Sequence, residues 1–507
     1  MGGILVKESF EVKLQEFKDY LRNIENLNST IALLEWDSMV NLPSKGVPFR
    51  SEVLGYLSGE SYKLTTSDKM KEFIDFFNGK DNLDDITRAM VEKSKKEYDM
   101  TQKIPADEYR EYTIAASNSG AAWEEAKDKS DFSIFEPHLK KIVDYKKKFI
   151  EYWGYSGDKY DTLLDFYEPG ITVKDLDIVF GELKTAIMEI LNKINASEYK
   201  PKTDFFKGSF SKNLQEDFIK LILTKMEYDF NERGRIDEST HPFTTNFGNK
   251  DVRITTHYYE NEFRSALFSC IHEGGHAIYE QDIPDELRGT TLAEGTSMGL
   301  HESQSRFYEN MIGKSKEFWH YFYPEAQKRF PQLKDISFEE FYKGLNYVEP
   351  SLIRIEADEL TYSIHIIIRY EIEKALINDE IDVGDLPKVW SAKYKEYLGV
   401  EPKNDSEGVL QDMHWSDGSF GYFPSYALGN LYGAQFLNKM LKDVPDLYAQ
   451  IQKGNLSIVH QWLSDNIHRY GAVYKPSELI KRVTGEKLEA KYFIDYLNRK
   501  FKEVYNL

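Results

Sequence analysis

FRSALFSCIHEGGH, residues 263–276, is an apolar helical run that ends in two histidines four positions apart. On a helix, positions i and i+4 project from one face. Two imidazoles so placed can chelate one ion at about 2.0–2.1 Å per Zn–N bond. Glu273 follows the first histidine and can reach a water on that ion, as the general base of a metallopeptidase does. With 11 His and 85 acidic residues in 507, chance produces an H-[DE]-x-x-H pattern about 0.04 times. Gly274 and Gly275 each cost roughly 1 kcal/mol in a helix interior relative to Ala. That cost implies a close neighbour on their face, either substrate or another backbone. The competing reading is a core helix with two packed histidines.

Most of the surrounding chain has helical spacing. Residues 9–28 put Phe10, Leu14, Phe17, Tyr20, Leu21 and Ile24 on one stripe. Residues 82–103, 135–153, 213–228, 352–376, 387–398, 428–441 and 457–467 read as further helices. Residues 172–195 begin Thr-Val-Lys-Asp, a threonine cap with an acid three positions on. Sixteen prolines and 31 glycines are too few for a β-sandwich or a proline-rich linker. The expectation is a mainly α protein: one helical domain over residues 1–507, open to a division into two lobes around a groove. One segment departs from this. Residues 241–259, HPFTTNFGNKDVRITTHYY, hold two runs rich in Thr, Phe, Val and Ile around Gly248, Asn249 and Lys250. This predicts an antiparallel β-hairpin. It must pack on something, and the histidine motif follows at once.

Composition narrows the function. At 41% hydrophobic and 14% aromatic the chain can bury a large core. Lys+Arg 65 against Asp+Glu 85 gives a net charge of −20. Such a chain has no global attraction for nucleic acid or anionic lipid. The single cysteine, Cys270, excludes an intramolecular disulfide and any cysteine-based metal site. It reads as a small core residue. A metal must therefore sit on histidine and carboxylate. No run of 18 apolar residues suggests a membrane span. The opening MGGILVKESF lacks the apolar core of a secretory signal, and Val6 stands where a myristoylation signal has Ser or Thr. A soluble, cytoplasmic protein is expected.

Catalytic zinc needs a third protein ligand and an open position. Glu280, Asp282, Asp285, Glu286, Glu294 and Glu302 all follow the motif. Glu294 and Glu302 both fall on or near a second helical stretch, residues 292–310, and spacing does not choose between them.

The motif has company. His241-Pro242-Phe243, then Asp251-Val252-Arg253-Ile254-Thr255, then His272 to His276, stand in order along the chain. His301-Glu302-Ser303-Gln304, Ile353-Arg354-Ile355-Glu356-Ala357-Asp358 and Gly408-Val409-Leu410-Gln411-Asp412-Met413-His414-Trp415 follow them. In these six motifs the chain resembles the thermostable-type metallocarboxypeptidases of the M32 family, which carry HPF, DxRxT, HExxH, HE[SG]Q, [IY]RxxAD and GxxQDxHW in that order. Weaker likeness reaches Trp36-Asp37 and residues 160–170.

The resemblance implies a helical fold with a deep substrate groove, similar in shape to neurolysin and angiotensin-converting enzyme, with a small sheet at the site and typically a homodimer. It assigns His272, His276 and Glu302 to a Zn2+ or Co2+ ion and Glu273 to catalysis. It implies release of single residues from peptides with a free C-terminus. His414 and Tyr422 are the expected oxyanion donors, by similarity to angiotensin-converting enzyme; the bland alternatives are a structural hydrogen bond under Trp415 and loop packing. Arg354 is the expected carboxylate clamp, since arginine's planar fork suits that group. An internal ion pair with Glu356 or Asp358 is its alternative. Arg253 is the second choice of clamp, with Asp251 as the competing partner. His241 is expected to hydrogen-bond the substrate backbone, with a strand-entry role fixed by Pro242 as the alternative. The hairpin can take the substrate as an added strand, and His301 is expected behind a metal ligand. Two other functions remain open: a helical metalloendopeptidase on short peptides, which would not need Arg354, and a non-catalytic scaffold, which would not need Glu273.

Overall fold

The computed structural model describes residues 2–507, with side-chain surroundings from Phe10 onward. The reading of Val6 and its neighbours lies outside those side chains. The chain is 67% helix and 3% strand, so it is mainly α as expected. Local signals account for the helix starts. Thr172 accepts from the Asp175 N–H and Asp175 returns the bond, a complete capping box on Val173–Ala196. That helix buries Leu176, Phe180, Leu183, Ile187, Ile190 and Ile194 at helical spacing.

Two cores result. The larger gathers most of the helices from Ala106–Lys129 to Lys491–Tyr505. The smaller packs Phe17 and Leu21 of Gly2–Val40 with Phe73, Phe77 and Met90 of the next helices. It also takes Ile283, Leu287 and Leu292, which lie just beyond the motif helix Arg264–Asp282. The N-terminal helices are thus fastened to the connection between the motif helix and the helix Met298–Arg306.

The hairpin is present but belongs to a larger sheet. Strands β1 (Gly234–Glu238), β2 (Thr244–Asn246) and β3 (Val252–Thr256) run in the order β1-β3-β2. β2 pairs antiparallel to β3, Thr244 opposite Ile254, whereas β1 pairs parallel, Gly234 opposite Val252. The purely antiparallel expectation is corrected to a mixed sheet. β1 was hidden because GRIDE carries one apolar residue and lies on an edge. The helix expected over residues 213–228 is Lys212–Lys225. Glu227 takes a left-handed φ of 73° and turns Tyr228 inward. The Tyr228 hydroxyl donates to the Val252 carbonyl at 2.7 Å and accepts from the Arg235 N–H at 3.1 Å, tying β1 to β3.

A second correction concerns Arg354. The helix expected from residue 352 is Tyr362–Ile377, and Arg354 lies before it in the short turn Arg354–Glu356. Asp358 causes the break: its carboxylate accepts from the Leu360 and Thr361 N–H groups and the Thr361 hydroxyl. Such local side-chain bonds compete with the helix. The expected stretch 292–310 becomes the α-helix Met298–Arg306, continued by a π-helical segment, Phe307–Ile312.

Candidate active site

The site grows from the contact between two helices. On the motif helix, Gly274 faces the Leu223 side chain. Gly275 faces backbone: a Cβ there would stand 2.6 Å from the Gln304 carbonyl oxygen and 2.7 Å from the Ser305 Cα. The close neighbour implied by the glycine pair is therefore the helix Met298–Arg306. That approach carries Glu302 over the two histidines. Glu302 Oε2 is 3.7 Å from His272 Nε2 and 3.4 Å from His276 Nε2.

The three donor atoms lie within 4.8 Å of one another, the only such group of three among the described residues. Ligands at about 2.0–2.1 Å in a tetrahedron stand roughly 3.3 Å apart. The His-His-Glu set fits one divalent cation with a position left open. Of the other carboxylates, Glu294 points outward and pairs with Lys93. Asp282 holds His460 and His468, and Asp285 meets Asn249. Glu280 meets His301 and Asn246.

Both imidazoles are held from behind, as ligand histidines are. His272 Nδ1 is 2.8 Å from Glu309 Oε2. His276 Nδ1 is 2.6 Å from His301 Nδ1, whose Nε2 is 2.7 Å from Glu280 Oε1. Burial opposes charge on all these groups, and partners override it at Glu302 and His272 but not at His276. For Glu302, Arg306 and the histidines overcome burial and hold the carboxyl down at about 2. Burial pushes His276 down to about 3. His272 is also disfavoured by burial, yet Glu302 and Glu309 raise it above its ordinary value.

Glu273 is nearly enclosed. Burial raises its pKa against the pull of His272 and Thr244. The Thr244 hydroxyl donates to Glu273 Oε2 at 2.6 Å. β2 therefore packs directly on the motif helix and holds its acid.

His414 and Tyr422 come from one loop. Their ring centroids are 5.5 Å apart, and Tyr426 stands 5.1 Å from Tyr422. His414 Nε2 is 3.2 Å from the Tyr426 hydroxyl, while Nδ1 is buried without a hydrogen-bond partner among the described residues. Trp415 does not hold His414; its indole N–H donates to Glu373 at 2.7 Å. Glu373 also accepts from Tyr160 at 2.5 Å and from the Gly421 N–H at 2.8 Å. One buried carboxylate thus pins the loop beside both His414 and Tyr422. Burial lowers His414 to about 4 and raises Tyr422 to about 12.

Arg354 pairs with neither Glu356 nor Asp358. Its partner is Asp412, which also receives Arg369 at 2.6 Å. Arg354 lies against the Tyr426 ring at 4.9 Å. Arg253 is claimed by Asp251 through Nε at 2.8 Å and Nη2 at 2.7 Å, its alternative partner in the sequence. The same guanidinium sits between Trp36, 4.5 Å away, and Phe247, 4.8 Å away. His241 is exposed in the bend between β1 and β2, with its carbonyl fixed by the Ser239 hydroxyl. Its ring makes no hydrogen bond among the described residues.

Sequence reasoning missed Thr244, Arg306, Glu309 and Glu373. Glu309 carried a signal, since it stands two helical turns after Glu302 on the same face.

A paired-histidine helix, a facing glutamate and an enclosed acid beside them are the parts of a helical metallopeptidase. The sequence profile of the Carboxypeptidase Taq (M32) metallopeptidases matches residues 16–501. Carboxypeptidase 1 of Bacillus subtilis is 49% identical over 495 residues, covering 97% of this chain and 99% of that one. Thermostable carboxypeptidase 1 of Pyrococcus furiosus is 38% identical over 481 residues, 95% of this chain and 96% of that one. The M32 carboxypeptidase from Deinococcus radiodurans superposes with a TM-score of 0.95 at 34% identity, covering 98% and 100% of the two chains. The chain belongs to the M32 family and is a metal-dependent carboxypeptidase, a peptide hydrolase.

Proposed function

We propose that His272, His276 and Glu302 hold one Zn2+ or Co2+ ion and that Glu273 is the general base for removing single residues from free peptide C-termini. One observation carries this reading: the three donors converge within 4.8 Å beside an acid on the helix that bears both histidines. When bound, such an ion polarises the scissile carbonyl and lowers the pKa of its water toward about 7. Affinity order alone does not choose between the two metals.

Glu273 takes the proton of the attacking water and returns it to the leaving amine. Thr244 occupies Oε2 and leaves Oε1 for that proton. A raised pKa favours the first of these steps, the uptake of the proton. His414 and Tyr422 donate to the developing oxyanion. His414 is neutral at pH 7, and a phenol at about 12 keeps its proton throughout the working range.

Arg354 binds the terminal carboxylate, and charge counting favours it over Arg253. Two guanidinium groups share Asp412 and leave one positive charge, whereas Arg253 is neutralised by Asp251. His241 and the edge of β2 hold the peptide backbone in a deep groove.

The chain acts as one domain over residues 1–507 and, on the family resemblance, as a homodimer, which light scattering tests. Among the described residues no helix is long and apolar enough to cross a membrane. A cytoplasmic location is the companion reading, tested by cell fractionation.

The deciding assay is mass spectrometry of one peptide, free-ended or amidated, before and after chelation and with Zn2+ or Co2+ restored. Stepwise loss of single terminal residues from the free-ended peptide alone, dependent on metal, is expected. Internal cleavage, or equal cleavage of the amidated peptide, would refute it.

A further inference from the structure

Arg306 closes the turn that Glu302 opens, four residues on along Met298–Arg306. Its side chain is only 12% exposed, and its guanidinium lies over the Tyr362 ring at 4.1 Å. Nε donates to Glu302 Oε1 at 2.7 Å, and Nη1 donates to Glu309 Oε2 at 3.2 Å. That same Glu309 oxygen is the one 2.8 Å from His272 Nδ1. One guanidinium therefore touches one of the three donor residues directly and a second through a single carboxylate.

The division of the Glu302 oxygens matters. A carboxylate can give one oxygen to a cation or both. Here Oε1 is taken by a charge-assisted bond of normal length. Oε2 alone faces the imidazoles, at 3.4 and 3.7 Å. Two nitrogens and one oxygen fill three places of a tetrahedron and leave the fourth for water; a second glutamate oxygen would add a fifth. The Arg306 guanidinium also bridges the negative charges of buried Glu302 and half-buried Glu309, while Lys314 meets the other Glu309 oxygen at 3.6 Å.

We propose that Arg306 is a positioning residue that restricts Glu302 to a single oxygen toward the metal and, through Glu309, orients the His272 ring. The proposal rests on the assignment of His272, His276 and Glu302 as the metal ligands.

The test uses the cobalt-substituted enzyme, whose visible absorption weakens as coordination number rises. In Arg306→Met, which keeps the apolar stem on Tyr362, both Glu302 oxygens are free to bind. The visible band should fall at least twofold at equal cobalt content, and kcat should fall more than KM rises. Glu309→Gln leaves the Arg306–Glu302 bond in place. It should keep the wild-type band but lose roughly ten- to a hundredfold in cobalt affinity, measured against a chromophoric chelator. An unchanged band in folded Arg306→Met overturns the one-oxygen restriction, and unchanged affinity in Glu309→Gln overturns the His272 arm. Glu309→Gln also keeps the proposal testable if Arg306→Met does not fold. His272→Ala separates the underlying reading: if it binds cobalt as wild type does, the ligand assignment itself is wrong.

Discussion

Arg354 meets a single oxygen of Asp412 twice, from Nε at 3.0 Å and from Nη2 at 2.8 Å. Arg369 holds the opposite oxygen, so the acid is spent on two buried bases. The residual positive charge has no further anion among its hydrogen-bond partners, which are Tyr362, Tyr394, Gln411 and the His365 carbonyl. Arg354→Met should cost about a hundredfold in kcat/KM on a free-ended peptide, about 3 kcal/mol, mostly through KM. Steady-state kinetics on the free-ended peptide, with a thermal melt of the same variant, checks this; an unchanged kcat/KM in the folded variant would remove Arg354 from substrate binding.

Glu273→Gln removes the proton acceptor without removing a ligand. Turnover should fall by roughly two to four orders of magnitude. Metal content, read by elemental analysis, should stay at one ion per chain. A variant that retains full rate removes Glu273 from the chemistry.

The two glycines of the motif should respond unequally. Gly275→Ala places its methyl against the Gln304–Ser305 backbone, which has nowhere to go. A loss of about 1–3 kcal/mol is expected, together with weaker metal binding as Glu302 is pushed away. Gly274→Ala meets only the end of the Leu223 side chain and should be milder. Thermal melts and metal titration of the two variants give the comparison; equal effects would deny that helix contact its role.

Glu373 predicts a pH slope in stability. Burial raises its carboxyl from an ordinary 4.5 to about 7 despite three donors. The folded form then holds more protons than the unfolded form between those values. Stability from this group is greatest below about pH 4.5 and declines as pH rises to about 7, by about 3 kcal/mol. Glu373→Gln should flatten that part of the curve, measured by denaturant melts at pH 5 and pH 7.5. An unaltered slope would place the titration elsewhere.

The sequence was informative where one stripe or one spacing carried the feature. The His272–His276 spacing, the Thr172 cap and the β2–β3 turn all had local signals, and each has its counterpart in the structure. The glycine pair even announced a close neighbour, though not which one. Features that depend on contacts distant in sequence were silent. Nothing near Arg354 points to Asp412, 58 residues on. β1 looks like a charged loop until it lies beside β3. Helices such as Val47–Thr65 and Ala106–Lys129 have broad, mixed faces and little periodicity to read. Spacing along the chain does not separate Glu302 from Glu294, but in the structure Glu302 lies over the imidazoles whereas Glu294 faces solvent and pairs with Lys93.

Trp36 has an unplanned use. Its indole is nearly buried, and Arg253 and Arg235 lie 4.5 and 5.3 Å from its ring. Indole emission responds to a charge displaced across its face. A peptide that drew Arg253 away from Asp251 would therefore announce itself in the native fluorescence, with no label attached. Trp36→Phe would isolate that signal from the chain's other tryptophans, giving an optical readout of ligand capture that does not wait for cleavage.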